Sequence, residues 1–124
     1  MKIIKFEWKK IGNICKPLKN SYWSQSYCML PTPVKIKDNI FRIFYSSRNK
    51  KNQSFITYTD LEISNKIRVI KHAKKPLLSP GNLGCFDDNG VTPSSIIRIN
   101  GKIYLYYVGW KPRSTTRYSL MGGI

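Results

Sequence analysis

The chain has 124 residues, 41% of them apolar and 13% aromatic, which suits one ordinary domain with its own core and excludes a globally disordered segment. No run of about 18 apolar residues occurs, which argues against a membrane-spanning helix. Lysine and arginine outnumber aspartate and glutamate by 22 to 6, a formal charge of +16. The basic residues are spread along the chain and gather only at Lys9-Lys10, Lys50-Lys51 and Lys74-Lys75, so nucleic acid is disfavoured as a partner: a phosphate-tracking surface needs its cations clustered.

In chain order, residues 3–9 read as a first strand. The opening MKIIKFEWKK has charges inside its apolar stretch and no small-residue cleavage pattern, so it reads as mature sequence and the protein as cytoplasmic. Gly12 to Ser26 reads as a loop. Residues 32–37 and 40–46 read as a hairpin turning at Asp38-Asn39, whose side chains tolerate the left-handed conformations such turns need. Phe55 to Leu61 and Ile67 to His72 supply two further strands, with turns at 49–52 and 64–66. Residues 76–88 form a long loop, 94–110 a second hairpin turning at Asn100-Gly101, and 118–124 the start of another strand. No window combines a 3.6-residue apolar period with caps at both ends, so the expected class is all-β with little or no helix.

The two hairpins read as copies. Thr32-Pro33 and Thr92-Pro93 lie 60 residues apart, and the aromatic pairs Phe44-Tyr45 and Tyr106-Tyr107 lie 62 apart, so the second copy is expected to carry two extra residues before its turn. A repeat this long, with several strands per unit, suggests propeller blades of four antiparallel strands. Blade one would run over about 30–73 and blade two would begin over about 92–124. One and a half blades cannot close a ring, so residues 1–124 are expected to be the N-terminal fragment of a propeller domain.

Three cysteines, Cys15, Cys28 and Cys85, fit neither a disulfide framework nor a zinc-site spacing, and His72 is the only histidine. They read as reduced thiols; no metal and no cofactor is expected.

The stretch GCFDDNGVTPSSIIRINGKIYLYYVGW, with Pro76-Leu77-Leu78-Ser79-Pro80-Gly81 before it and PTPVKIKDNIFRIFYSSR upstream, resembles the first two blades of the five-bladed β-propeller glycosidase superfamily, which includes glycoside hydrolase families 32, 43, 62, 68, 117 and 130. The resemblance covers residues 8–124. It implies carbohydrate, an oligo- or polysaccharide, as partner and hydrolysis or transfer of a glycosidic bond as the reaction of the full-length family. Families 32 and 43 place an essential aspartate on the first strand of blade one, where this chain has Met29-Leu30-Pro31-Thr32-Pro33. The general acid of the family comes from a later blade. The resemblance therefore implies an incomplete catalytic set in this chain, and a non-catalytic carbohydrate-binding module is the alternative.

Glycoside cleavage needs two carboxyl groups about 5 to 9.5 Å apart. Asp87 and Asp88 are the catalytic candidates; adjacent residues of an extended chain point to opposite sides, so no more than one is expected to face a pocket, and stabilising the loop through its own backbone amides is the alternative role. For substrate binding, Arg48 either pairs bidentately with an anionic sugar or phosphate or is an exposed arginine at a strand end, and Trp110 can stack on a sugar ring or pack between blades. Trp23 and Gln25, in the polar-aromatic stretch Ser21-Tyr22-Trp23-Ser24-Gln25, either line a pocket mouth or belong to a surface loop.

Overall fold

The computed structural model describes residues 5–19 and 21–124, and among them the chain is all β, with seven strands and no helix. Strands β1 (Ser26–Lys37), β2 (Ile40–Arg48), β3 (Ser54–Ile63) and β4 (Ile67–His72) form an antiparallel meander. Strands β5 (Gly90–Ile99), β6 (Lys102–Pro112) and β7 (Tyr118–Gly123) form a second one. The two share a single parallel backbone pair, Ser54 with Gly90, while β5 also packs against β1 and β2.

Both hairpin turns follow from local chemistry. Asn100 and Gly101 have φ of 48° and 75°, the pair of positive values that a two-residue hairpin turn needs to match the strand twist. Asp38 takes φ of 38° at the first turn.

Burial concentrates in the first meander. Phe44, Tyr45, Phe55, Ile56 and Leu61 are buried with Val91, Trp110 and Trp23. Strand β3 lies between β2 and β4, and Leu78 from the connecting loop pairs with Ile56 across its far end. The buried polar residues of this region are mostly paired. Asp60 accepts from Arg42 at 2.8 and 2.9 Å, Ser24 pairs with Ser47 at 2.9 Å, and Arg42 lies over the Tyr58 ring at 3.9 Å.

One sequence expectation is corrected. Residues 5–9 are not in a strand, and Trp8 is 91% exposed; residues 3 and 4 of the expected strand lie outside the described residues. The alternation of Phe6 and Trp8 with Lys5, Glu7 and Lys9 suits a strand, yet here the two rings stack on each other at 6.5 Å instead of joining a sheet edge. The repeat is offset at its Thr-Pro pairs. Thr32 faces Phe44, whereas Thr92 faces Val108, so the second hairpin is longer in both arms. Counted from the turn pairs Lys37–Ile40 and Ile99–Lys102, Phe44-Tyr45 and Tyr106-Tyr107 are equivalent, and the two extra residues fall before the second turn as expected.

Candidate functional site

A single cross-strand row organises the site. Ser26, Arg48, Ser54, Gly90, Trp110 and Leu120 are successive backbone partners across β1, β2, β3, β5, β6 and β7. Directly paired residues project to the same face of a sheet. Between the long side chains of Arg48 and Trp110 the row offers only a serine and a glycine, so guanidinium and indole reach across them to 5.3 Å. Trp110 Nε1 donates to Ser54 Oγ at 2.8 Å. Gly90 is required by contact: a Cβ there would sit 2.5 Å from Trp110 Nε1, well inside van der Waals distance.

Tyr27 closes the other side of Arg48, its ring 5.5 Å from the guanidinium carbon. Arg48 is thus held between two aromatic faces, an arrangement favoured by attraction between cation and ring. Its Nε is buried without a hydrogen-bond partner among the described residues. The cleft in front of it, about 720 Å³, is lined by Met29, Leu30, Thr92, Val108, Tyr118 and Leu120. Tyr27 and Leu30 both adopt positive φ, 65° and 53°, in the bulged start of β1. Bulky residues rarely take that conformation, and such strain gathers at binding sites.

The expected carboxylates lie elsewhere. Along β6, Tyr107 and Gly109 project to the face opposite Val108 and Trp110, and it is there that the 84–89 loop packs. The Phe86 ring stacks on Tyr107 at 6.0 Å, and a Cβ on Gly109 would meet Phe86 Cε2 at 2.6 Å. Asp87 is 7% exposed and accepts a long hydrogen bond, 3.4 Å, from the Tyr107 hydroxyl. Burial, and then the Asp87 charge, push the Tyr107 phenol up from its ordinary pKa. Asp88 serves its own loop, its carboxylate accepting from Gly84 N at 2.9 Å. Asp87 is thus the one turned inward, but toward the wrong face to join Arg48 and Trp110.

The remaining two candidates lie apart from the Arg48 cleft, and Gln25 borders a separate cavity with Tyr22, Asn49, Gln53 and Phe55. Trp23 is 2% exposed and belongs to the core, because the 21–25 turn folds over the first meander rather than outward. Gln25 donates from Nε2 to the carbonyls of Lys19, at 2.9 Å, and Ser21. It therefore fastens the loop, while its backbone N–H pairs with the Arg48 carbonyl at 2.8 Å.

Sequence reasoning missed Tyr27 and Tyr118. Tyr118 packs edge-on against Trp110 at 5.3 Å; its position in the hairpin partner of the Trp110 strand was the available signal. For Tyr27, no local pattern announced a bulge.

No protein-family model and no solved structure matches the chain. It is 42% identical over 105 residues, 83% of its length, to the uncharacterized protein MT1551 of Mycobacterium tuberculosis strain CDC 1551 and equally to the uncharacterized protein Rv1502 of strain H37Rv. The aligned part is 34% of each relative, so the chain spans about a third of the length of the curated relatives it matches.

Proposed function

We propose that this chain is a carbohydrate-binding unit built from the first blades of a glycosidase-like five-bladed propeller, and that its ligand is an anionic glycan held in the Arg48 cleft. The propeller reading is supported by a four-stranded antiparallel meander followed by a second meander whose backbone joins it at one parallel pair and whose first strand packs against β1 and β2. That is the arrangement expected of neighbouring blades. The observation that carries the ligand reading is Arg48, pinned between Tyr27 and Trp110 with a free Nε, at the floor of a largely apolar cleft. An aromatic and aliphatic wall suits a sugar ring, and a fixed guanidinium suits a carboxylate or phosphate substituent.

Binding is favoured over turnover. Among the described acids, Asp60 is engaged by Arg42, Glu62 by Arg68, and Asp88 by the backbone of its own loop. Asp38 sits in the hairpin turn and Glu7 is exposed. Asp87 is left without a second carboxyl group placed for cleavage.

Calorimetric titration with uronate-containing and neutral oligosaccharides of equal length tests the reading. The anionic series binds more tightly, and Arg48→Gln weakens it by about ten- to a hundredfold, the size of a lost charge-assisted pair. Asp87→Asn, altering the opposite face, leaves affinity unchanged. Absence of binding to either series, or an unchanged affinity in Arg48→Gln, overturns the proposal. So does tighter binding to nucleic acid with an affinity that collapses with salt, since the glycan contact involves one arginine rather than many phosphate neutralisations.

A further inference from the structure

A second cluster lies on the first meander, away from the Arg48 row. The 5–19 segment folds back so that Cys15 meets Cys28 of β1, with the two sulfurs 3.6 Å apart and the Cys28 thiol donating to Cys15. The pair borders a cavity of about 360 Å³ lined by Gly12, Lys16, Tyr27, Pro31, Tyr45 and Thr59 among others. Both cysteines are half-buried, so each can be reached from solvent.

Thr59 links this pair to two further polar groups. Its Oγ1 lies 3.8 Å from Cys15 Sγ, 3.2 Å from the Tyr45 hydroxyl and 2.9 Å from His72 Nδ1. With Cys15 ionised, one assignment satisfies all three contacts: Tyr45 and His72 donate to Thr59, and Thr59 donates its single proton to the sulfur. The Cys28 hydrogen bond is the largest stabiliser of the Cys15 thiolate, ahead of Tyr45, Thr59 and the His72 charge, and against the effect of burial the balance lowers its pKa to about 6. Cys28 is pushed up by the same hydrogen bond and by burial. The two sulfurs therefore share one proton over the neutral range, giving a thiolate beside a thiol.

We propose that Cys15 and Cys28 form a hydroperoxide-responsive dithiol, with Cys15 as the attacking thiolate and Cys28 as the resolving thiol, whose disulfide ties the 5–19 segment to β1. The Cys15 sulfur attacks the terminal peroxide oxygen, the O–O bond breaks, and the departing alkoxide takes a proton from water. Cys15 is then a sulfenic acid. Cys28 attacks that sulfur, the S–O bond breaks, and the released hydroxide takes the Cys28 proton to leave as water. Two thiols and one hydroperoxide become a disulfide, an alcohol and water, the two electrons passing from the sulfurs to the peroxide oxygens. A disulfide needs its sulfurs near 2.05 Å, so each side closes by less than an ångström from the present separation, a motion within reach of side-chain rotation.

Hydrogen peroxide and the unmodified chain provide the test. The protein loses the mass of two hydrogens and yields a cross-linked tryptic pair, 11–19 with 20–35, the Lys16–Pro17 bond resisting cleavage. Cys85 falls in a separate peptide. In Cys28→Ser the Cys15 sulfenic acid accumulates and is captured by dimedone. The rate is best read at pH 6, where the thiolate fraction outweighs the lower intrinsic nucleophilicity of an acidic thiol and Cys15 reacts about tenfold faster than N-acetylcysteine. At pH 7 the advantage falls to about two- to threefold. A disulfide involving Cys85, oxidation of wild type to sulfinic acid without the cross-link, or a Cys15 rate equal to that of the free thiol at pH 6 overturns the proposal. The wild-type peptide map needs no substitution, so a variant that folds poorly does not shelter the idea.

Discussion

The two meanders are built from similar strands and end in different surroundings. Strand β3, SFITYTDLEI, is buried through most of its length, whereas β6, KIYLYYVGWKP, alternates apolar and aromatic residues just as well and stays exposed over its first half. Strand β3 has neighbours on both edges, and its meander is covered on one face by Cys15, Trp23 and Ser24. The first half of β6 pairs only with β5, since β7 joins it from Tyr107 onward. Burial of a strand is set by what covers it, and the strand's own pattern states only which side can be covered.

The sharpest way to break this comparison is a matched truncation. Ile56→Ala, at a fully buried position of β3, is expected to cost about 2 to 5 kcal/mol through lost transfer energy and a residual cavity. Ile103→Ala on β6, where the side chain is 42% exposed, is expected to stay within about 1 kcal/mol. Urea unfolding of both variants decides, and equal costs would mean that the second meander is covered in solution.

Fixing the cover sharpens the contrast further. Oxidising Cys15 and Cys28 closes a loop of 13 residues in sequence and is expected to stabilise the first meander by about 3 kcal/mol on the chain-entropy account. Hydrogen exchange should slow at β2 and β3 and remain unchanged at β6 and β7. Uniform slowing would indicate that the two meanders unfold as one unit.

The junction between the two regions is a smaller target. Gly90→Ala places a methyl group against Ser54 and Trp110 and is expected to cost about 1 to 3 kcal/mol by overpacking. It should also loosen the Arg48 cleft. Thermal melting together with Trp110 fluorescence reads both effects, and a variant with wild-type melting and emission would show that the joint has room to spare.

The mildest probe is pH under reducing conditions. The folded Cys15 pKa is lowered from 9.0 to about 6, so its contribution to stability is present above the unfolded value and is lost as pH falls through 6. Cys28 is shifted upward from 9.0, so its contribution is full below 9 and declines as pH rises beyond it. Stability attributable to the pair should therefore climb from pH 6 and peak near pH 9. Urea midpoints of the wild type and Cys15→Ser across pH 5 to 10 check this, and parallel curves for the two proteins would exclude the shared proton.

The strand pattern, the two turns and the absence of helix were legible because they depend on neighbouring residues. Period-2 alternation, Asn100-Gly101 and Asp38-Asn39 act within a few positions of themselves. The reading of 3–9 failed at residues 5–9, where Phe6 and Trp8 stack on each other and join none of the open sheet edges. The site was half legible. Arg48 and Trp110 were singled out separately, one at a strand end and one after Gly109, and nothing in the sequence related them. Asp87 and Asp88 were expected to point to opposite sides, and the structure turns Asp87 inward; which face of the sheet received it was beyond that argument.

Sequence alone determined that this chain is a β protein with two long hairpins and a strongly basic composition. Tertiary structure decided the rest. The single Ser54–Gly90 pair aligns one row across six strands, and only that register brings Arg48 to Trp110 and sends Asp87 to the opposite face. The same holds for Cys15 and Cys28, whose spacing signals nothing and whose contact arises because the N-terminal segment returns across the first meander. Contacts between residues distant in sequence depend on strand register and chain reversal, and a shift of one residue in either would turn these side chains to the other face.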